Sequence, residues 1–338
     1  MELQLKNIGM IKEANVKIDG LTVIAGENDT GKSTVGKALY FKLQFLEQRM
    51  NNLRDKKNMI LGLSLPSLLF KGKLISNKSI KAFIKLIINK EEYNLPINHE
   101  NVIDMGTSYS GKDKLNLKKT FSVLFIETPL VWNFTDFFRD IAQIESQMRI
   151  ELDYPYLMKD LNFKLHIKSA SNGLDIKKEM TDLMGGEFKK DEMGRYYFDK
   201  QGERIELLNT ATGIKMFGIF QVLSQNNYLN ENTILILDEP EVHLHPKWQL
   251  EMAKIIVELV KNGVKVLVNS HSPYMIEALK RYSEVEEIED KTNFYLAEDG
   301  YIKKENDSNS ETLAKIFEKL SEPFDVFEEM DMERLLNV

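Results

Sequence analysis

The chain has 338 residues, 43% apolar and 29% charged, with a formal net charge of −7; these proportions exclude wholesale disorder and give no global basic footprint for nucleic acid. It contains no cysteine, which excludes disulfides, thiolate zinc sites and thiol catalysis. No apolar run reaches the roughly 20 residues of a membrane helix, and the opening MELQLKNIGM lacks a signal-peptide layout, so the expectation is a soluble cytoplasmic protein with no membrane partner.

Residues 2–6 and 12–18 alternate apolar and polar, which predicts a short antiparallel pair. LTVIA (21–25) is continuously apolar, the pattern of a strand buried on both faces, and a Gly-rich turn and a helix to about Leu46 follow it. The Lys- and Asn-rich stretch 50–115 reads as an insertion with weak strands, a helix near 78–90 and a terminal loop DMGTSYSGKDK. FSVLFIETP (121–129) returns to the buried-strand pattern, 135–165 reads as helical, and GGEFKKDEMGRYYFDKQGERIELL reads as hairpins. From 209 the order is helix (213–225), strand (233–237), helix (247–261), strand (264–268) and helix (273–281), which implies a parallel sheet with right-handed crossovers. In 247–261 the stripe Trp248, Met252, Ile255, Ile256, Leu259 is core packing. A strand or hairpin at 292–303, a polar break ENDSNSE and amphipathic helices complete the chain.

GENDTGKST (26–34) has the spacing G-x-x-x-x-G-K-[ST] directly after an apolar strand and opening a helix. Gly26 and Gly31 allow the backbone to curl, so that N–H groups across Asn28, Asp29, Thr30, Gly31, Lys32, Ser33 and Thr34 point at phosphate oxygens. Lys32 is expected to reach the terminal phosphates and the Ser33 hydroxyl to join a Mg²⁺ shell. TILILDEP ends a second apolar strand in two carboxylates. Asp238 suits the Mg²⁺ side, and Glu239 is placed to orient or deprotonate water. His271, just past VKVLV, falls on the same sheet edge, where an imidazole can hydrogen-bond a γ-phosphate or the attacking water. His243 and His245 form an H-x-H pair with no third ligand nearby, so they read as loop or subunit-contact residues rather than zinc ligands.

Together GENDTGKST, LNTATGIK, ILILDEPEVHLHP and VNSHSP resemble the ABC-type ATPases that include the overcoming-lysogenization-defect ATPases and, more distantly, SMC and double-strand-break-repair ATPases. The resemblance covers residues 1–45 and 205–280. It implies an α/β fold of the ABC-type P-loop class: a mainly parallel sheet flanked by helices, an N-terminal antiparallel β portion and an inserted α/β lobe. The implied core is 1–48 with 205–338, and 49–204 is the inserted region. It further implies ATP and Mg²⁺ as cofactors, a homodimer in which Thr210, Ala211, Thr212 and Gly213 of one subunit face the γ-phosphate held by the other, and His271 as the switch histidine. A Gln that normally joins the metal shell is replaced by Glu127 and Thr128, with Gln143 and Gln147 further on. Only 67 residues follow His271, too few for the TOPRIM nuclease domain of the lysogenization-defect nucleases, and 50–115 has no heptads for a long coiled coil.

The leading expectation is an ATPase whose nucleotide state signals to a separately encoded effector, a nuclease or toxin in anti-phage defence. The second is a DNA-repair or DNA-end-binding ATPase, with RDKKNM (54–59) and KGKLISNKSIKAFIK (71–85) as candidate DNA contacts. The continuation HLHP argues against a transporter ATPase. Intact Lys32, Ser33, Asp238 and Glu239 argue against an inactive regulator.

Overall fold

A computed structural model describes residues 1–52, 82–97, 121–148 and 155–336. Strands β1 (Glu2–Ile8) and β2 (Ile11–Lys17) pair antiparallel, and β3 (Leu21–Ala25) leads through the 26–31 turn into helix α1 (Lys32–Asn52). Strands β4 (Ala82–Ile88) and β5 (Glu91–Ile97) form a hairpin whose first strand pairs with β1. The chain then passes through β6 (Ser122–Ile126), a 3₁₀ turn (Pro129–Phe134), α2 (Thr135–Met148), α3 (Tyr156–His166) and α4 (Lys177–Met184). A small sheet of β7 (Glu187–Lys190), β8 (Tyr196–Lys200) and β9 (Glu203–Glu206) precedes α5 (Thr212–Gln225). Then come β10 (Thr233–Asp238), α6 (Pro246–Lys261), β11 (Lys265–Ser270), α7 (Pro273–Val285), β12 (Thr292–Glu298), β13 (Tyr301–Lys303) and α8 (Asn309–Leu336).

Ten described strands form one sheet in the order β5-β4-β1-β2-β13-β12-β3-β11-β10-β6. Strands β12, β3, β11, β10 and β6 run parallel to one another, β1, β2, β4 and β5 pair antiparallel, and β13 links the two parts by pairing antiparallel with β12 and parallel with β2. The fold is therefore the α/β class with a mainly parallel sheet, an N-terminal antiparallel portion and helices on its faces. Every residue of β3 and β10 is buried, which is why both are dominated by apolar residues, with Thr22 inside β3 and Thr233 and Asp238 at the ends of β10. Along β3, Ile24 faces the layer of α1 with Val35, Leu39 and Tyr40, while Val23 and Ala25 face α5, α6 and α7.

The expected helix at 78–90 is not present over 82–88; that stretch is strand β4. AFIKLII is apolar at nearly every position, so its periodicity does not separate helix from strand. The deciding feature is the turn: Asn89 and Lys90 both adopt positive φ, 51° and 70°, as a two-residue hairpin requires. Segments 104–114, 54–59 and most of 71–85 lie outside the described residues. The chain from Asn309 forms one helix across Pro323 rather than several. Segment 49–204 contributes β4, β5 and β6 to the large sheet and β7 and β8 to the three-stranded sheet, whose third strand, β9, crosses residue 204.

Candidate functional site

Register brings three turns to one edge. Asp238 pairs with Asn269 across β10 and β11, and Ser270 pairs with Ala25 across β11 and β3. The residues that follow each strand therefore emerge side by side at the carboxyl ends of parallel strands, where α/β sheets place ligands.

The 26–34 turn depends on its glycines. Gly31 has φ +94°, and a Cβ there would lie 2.4 Å from Ile11 Cδ1; a Cβ on Gly26 would lie 2.4 Å from the Ala297 carbonyl oxygen. Lys32 is buried, and its Nζ donates to the carbonyls of Gly26 (2.8 Å) and Glu27 (2.6 Å). The ammonium thus curls over its own loop. Burial lowers its pKa, opposed by the nearby charges of Glu239 and Asp238. Thr30 Oγ1 donates to the Glu27 carbonyl at 2.8 Å. Asn28 and Asp29 are exposed, Asp29 at φ 65°, and Thr34 is half-buried beside Gly9.

Asp238 is buried, and its Oδ1 accepts from Ser33 Oγ (3.1 Å) and Asn269 Nδ2 (2.8 Å). Burial pushes its pKa up, while the Asn269 and Ser33 hydrogen bonds pull it down. Glu239 stands in the left-handed region at φ 52°; this tight backbone turn is held by its N–H donating to the Asn269 carbonyl at 2.9 Å. Its Oε1 lies 3.2 Å from His271 Nδ1 and 4.0 Å from Lys32 Nζ. Five residues from three turns thus form one connected set: Lys32, Ser33, Asp238, Glu239 and His271.

Sequence reasoning passed over Glu241, which lies behind this set. Its Oε1 accepts from Ser270 Oγ (2.5 Å), the His271 N–H (2.9 Å) and the Ser272 N–H (3.2 Å), and lies 3.8 Å from His271 Nδ1. Its Oε2 is buried without a hydrogen-bond partner. The available signal was a second acid behind Pro240 in DEPE. Asn269, also missed, bridges Asp238 through Nδ2 and the Glu239 N–H through its carbonyl.

The remaining expected residues fall elsewhere. Thr210 is buried, and its Oγ1 donates to the Glu206 carbonyl at 3.0 Å. Thr212 opens α5, preceded by the exposed Ala211 at the N-cap. A Cβ on Gly213 would lie 3.3 Å from the Trp248 ring. Among the described residues no hydrogen bond or ion pair joins 207–215 to 26–34. His245 Nδ1 caps α6 by accepting from the Lys247 N–H at 3.2 Å, and His243 sits in a turn at φ 72°. No group of three or more His, Cys, Asp or Glu able to hold a metal occurs among the described residues. Glu127 pairs with Lys37 at 3.4 Å, and Thr128 Oγ1 accepts from the Leu130 N–H. Gln147 is exposed on α2, and the Gln143 side chain lies outside the described residues. No described helix is long and apolar enough to cross a membrane.

Residues 133–276 match the family model of the AAA ATPase domain. No curated protein matches the chain. Among solved structures, the chain is similar to an SMC head bound to the C-winged helix domain of ScpA, at 15% identity and a TM-score of 0.48, covering 89% of this chain and 95% of that one. It is also similar to an SMC head with an extended coiled coil bound to the C-terminal domain of ScpA derived from Pyrococcus furiosus (14% identity, TM-score 0.46, 95% and 99% covered). A third similar structure is the ADP conformation of an ATP-binding cassette of an ABC transporter (14% identity, TM-score 0.36, 94% and 98% covered).

Proposed function

We propose that this chain binds ATP on the 26–34 turn and hydrolyses it to ADP and phosphate, acting as a nucleotide-gated homodimer that controls a separately encoded effector. The observation that carries the reading is the convergence of Lys32, Ser33, Asp238, Glu239 and His271 from three strand ends. The AAA ATPase match over 133–276 supports it, since that span contains Asp238, Glu239 and His271.

In this reading Lys32 exchanges the Gly26 and Glu27 carbonyls for phosphate oxygens, which are far better partners for a buried ammonium. The N–H groups from Asn28 to Thr34 and the N-terminus of α1 hold the remaining phosphate charge. Ser33 and Asp238 would hold Mg²⁺, since a hydroxyl and a buried carboxylate already converge there. That ion, when bound, would neutralise phosphate charge. Glu239 orients and deprotonates the attacking water, and His271 holds the Glu239 carboxylate in place through Nδ1. The signature residues Thr210, Thr212 and Gly213 are separate from the chain's own phosphate loop, so their contribution to a γ-phosphate comes from a second copy. By resemblance the effector is a nuclease or toxin of anti-phage defence.

The test combines phosphate release and light scattering. Glu239→Gln should lower release by about 10²-fold or more and trap a dimer with ATP but not ADP, whereas Lys32→Met should abolish nucleotide binding. Release that survives Glu239→Gln overturns the catalytic assignment, and a strictly monomeric mass with ATP overturns the dimer. Duplex DNA binding with a steep salt slope would favour a DNA-end-binding role instead.

A further inference from the structure

A second concave surface lies on the outer side of the helices that leave the site. Helices α4, α6 and α7 enclose a groove of about 800 Å³. It runs from the middle of α6 to the C-terminal turns of α6 and α7, the ends remote from Glu239 and His271. Its floor is apolar: Leu174, Leu183, Ile255 and Tyr282 are only partly buried, and Val285 is 72% exposed.

The rim is predominantly acidic. Asp175, Glu179, Asp182, Glu251, Glu258 and Glu286 line the groove, against a single lining cation, Lys254. Glu286 is paired with Lys261 at 2.6 Å. Among the described residues the other five carboxylates enter no ion pair. Six carboxylates against Lys254 give the groove an acidic lining, and a cationic partner complements that charge while covering the floor.

The shape of the charge decides among occupants. A second copy presenting the same face would set carboxylate against carboxylate in a two-fold contact. A small cation would need convergent acceptors, whereas these are spread over α4, α6 and α7. An elongated apolar floor with acidic walls matches a helix that carries an apolar stripe flanked by Lys and Arg. We propose that this groove docks such a basic amphipathic helix from another protein. The inference goes beyond the ATPase reading and does not rest on it, because neither the floor nor the rim includes a residue of the nucleotide site.

The experiment uses the full chain without nucleotide and a fluorescein-labelled helical peptide of leucine and lysine, about 18 residues or ~27 Å long, with leucines on one stripe. A leucine–glutamate peptide of the same pattern is the control. Fluorescence anisotropy should show binding of the lysine peptide only. The rim variant Glu179→Lys/Glu251→Lys and the floor variant Val285→Asp, both on exposed or half-buried positions, should each weaken it about tenfold or more. Circular dichroism confirms that both variants fold, and their phosphate release should equal that of the unmodified chain, which separates this result from any failure of the ATPase reading. No binding, equal binding to both variants, or binding of the glutamate peptide overturns the proposal. So does a fall in mass on Val285→Asp, which would make a second copy the occupant.

Discussion

The Glu241 carboxylate and the His271 backbone N–H lie 2.9 Å apart, and this contact fastens the turn after β10 to the turn after β11. The same oxygen also holds Ser270 and the Ser272 N–H, so one buried acid organises three consecutive residues. The imidazole that meets Glu239 is thus positioned through its own backbone by the buried Glu241 carboxylate.

Glu241 should therefore behave as a positioning residue. Glu241→Ala strips buried N–H groups of their acceptor and frees the His271 turn. Steady-state phosphate release should show kcat down roughly 10–100-fold with KM for ATP within about twofold. Glu241→Gln keeps a carbonyl acceptor and should recover most of the rate. Equal damage from both variants, with KM rising alongside, would mean only that the edge of the sheet has lost its structure.

Gly213 separates crowding from charge. A methyl at this position meets the Trp248 ring at 3.3 Å, a contact a small shift accommodates, so Gly213→Ala should retain at least half of the activity. Gly213→Asp adds a negative charge at the N-terminus of α5, where the proposed reading places a γ-phosphate of the other copy. It should leave binding of a fluorescent ATP analogue within about threefold while lowering hydrolysis about tenfold or more. Unchanged hydrolysis would remove these residues from the site.

His166 predicts an acid limb in stability. Its ring is packed edge-on against Tyr196 at 5.2 Å, with Nδ1 2.8 Å from the Asn162 carbonyl. Burial lowers its pKa below the ordinary value, partly offset by that hydrogen bond. The unfolded chain then binds the proton more readily, so stability is full above about pH 6.5 and declines as pH falls toward the folded pKa. Urea unfolding between pH 8 and 5 should show a shallower decline for His166→Gln than for the unmodified chain. Parallel curves would assign the acid sensitivity to other groups.

The parallel half of the sheet was legible because LTVIA, TILIL and VKVLV are each apolar at four of five positions, a pattern that burial on both faces produces. The 26–34 turn was legible as a turn because its requirements are local: two glycines, a lysine and a hydroxyl within nine residues. The hairpin at 82–97 was not, since AFIKLII satisfies helix and strand alike and only the conformation of Asn89 and Lys90 distinguishes them. Glu241 was not legible either. Its neighbour Glu239 stands 32% exposed while Glu241 is 3% exposed at the side chain, a contrast created by Ser270 and Ser272 some thirty residues later in the chain.

The packing around α5 has an optical consequence. The chain has two tryptophans, and both touch this helix: Trp132 Nε1 donates to the Lys215 carbonyl at 2.9 Å, and the Trp248 ring lies against Gly213. Trp132 also stacks on Phe188 at 5.0 Å, out of water. All intrinsic indole emission therefore originates beside one helix, and any rearrangement of that helix will register in the emission spectrum of the unlabelled protein.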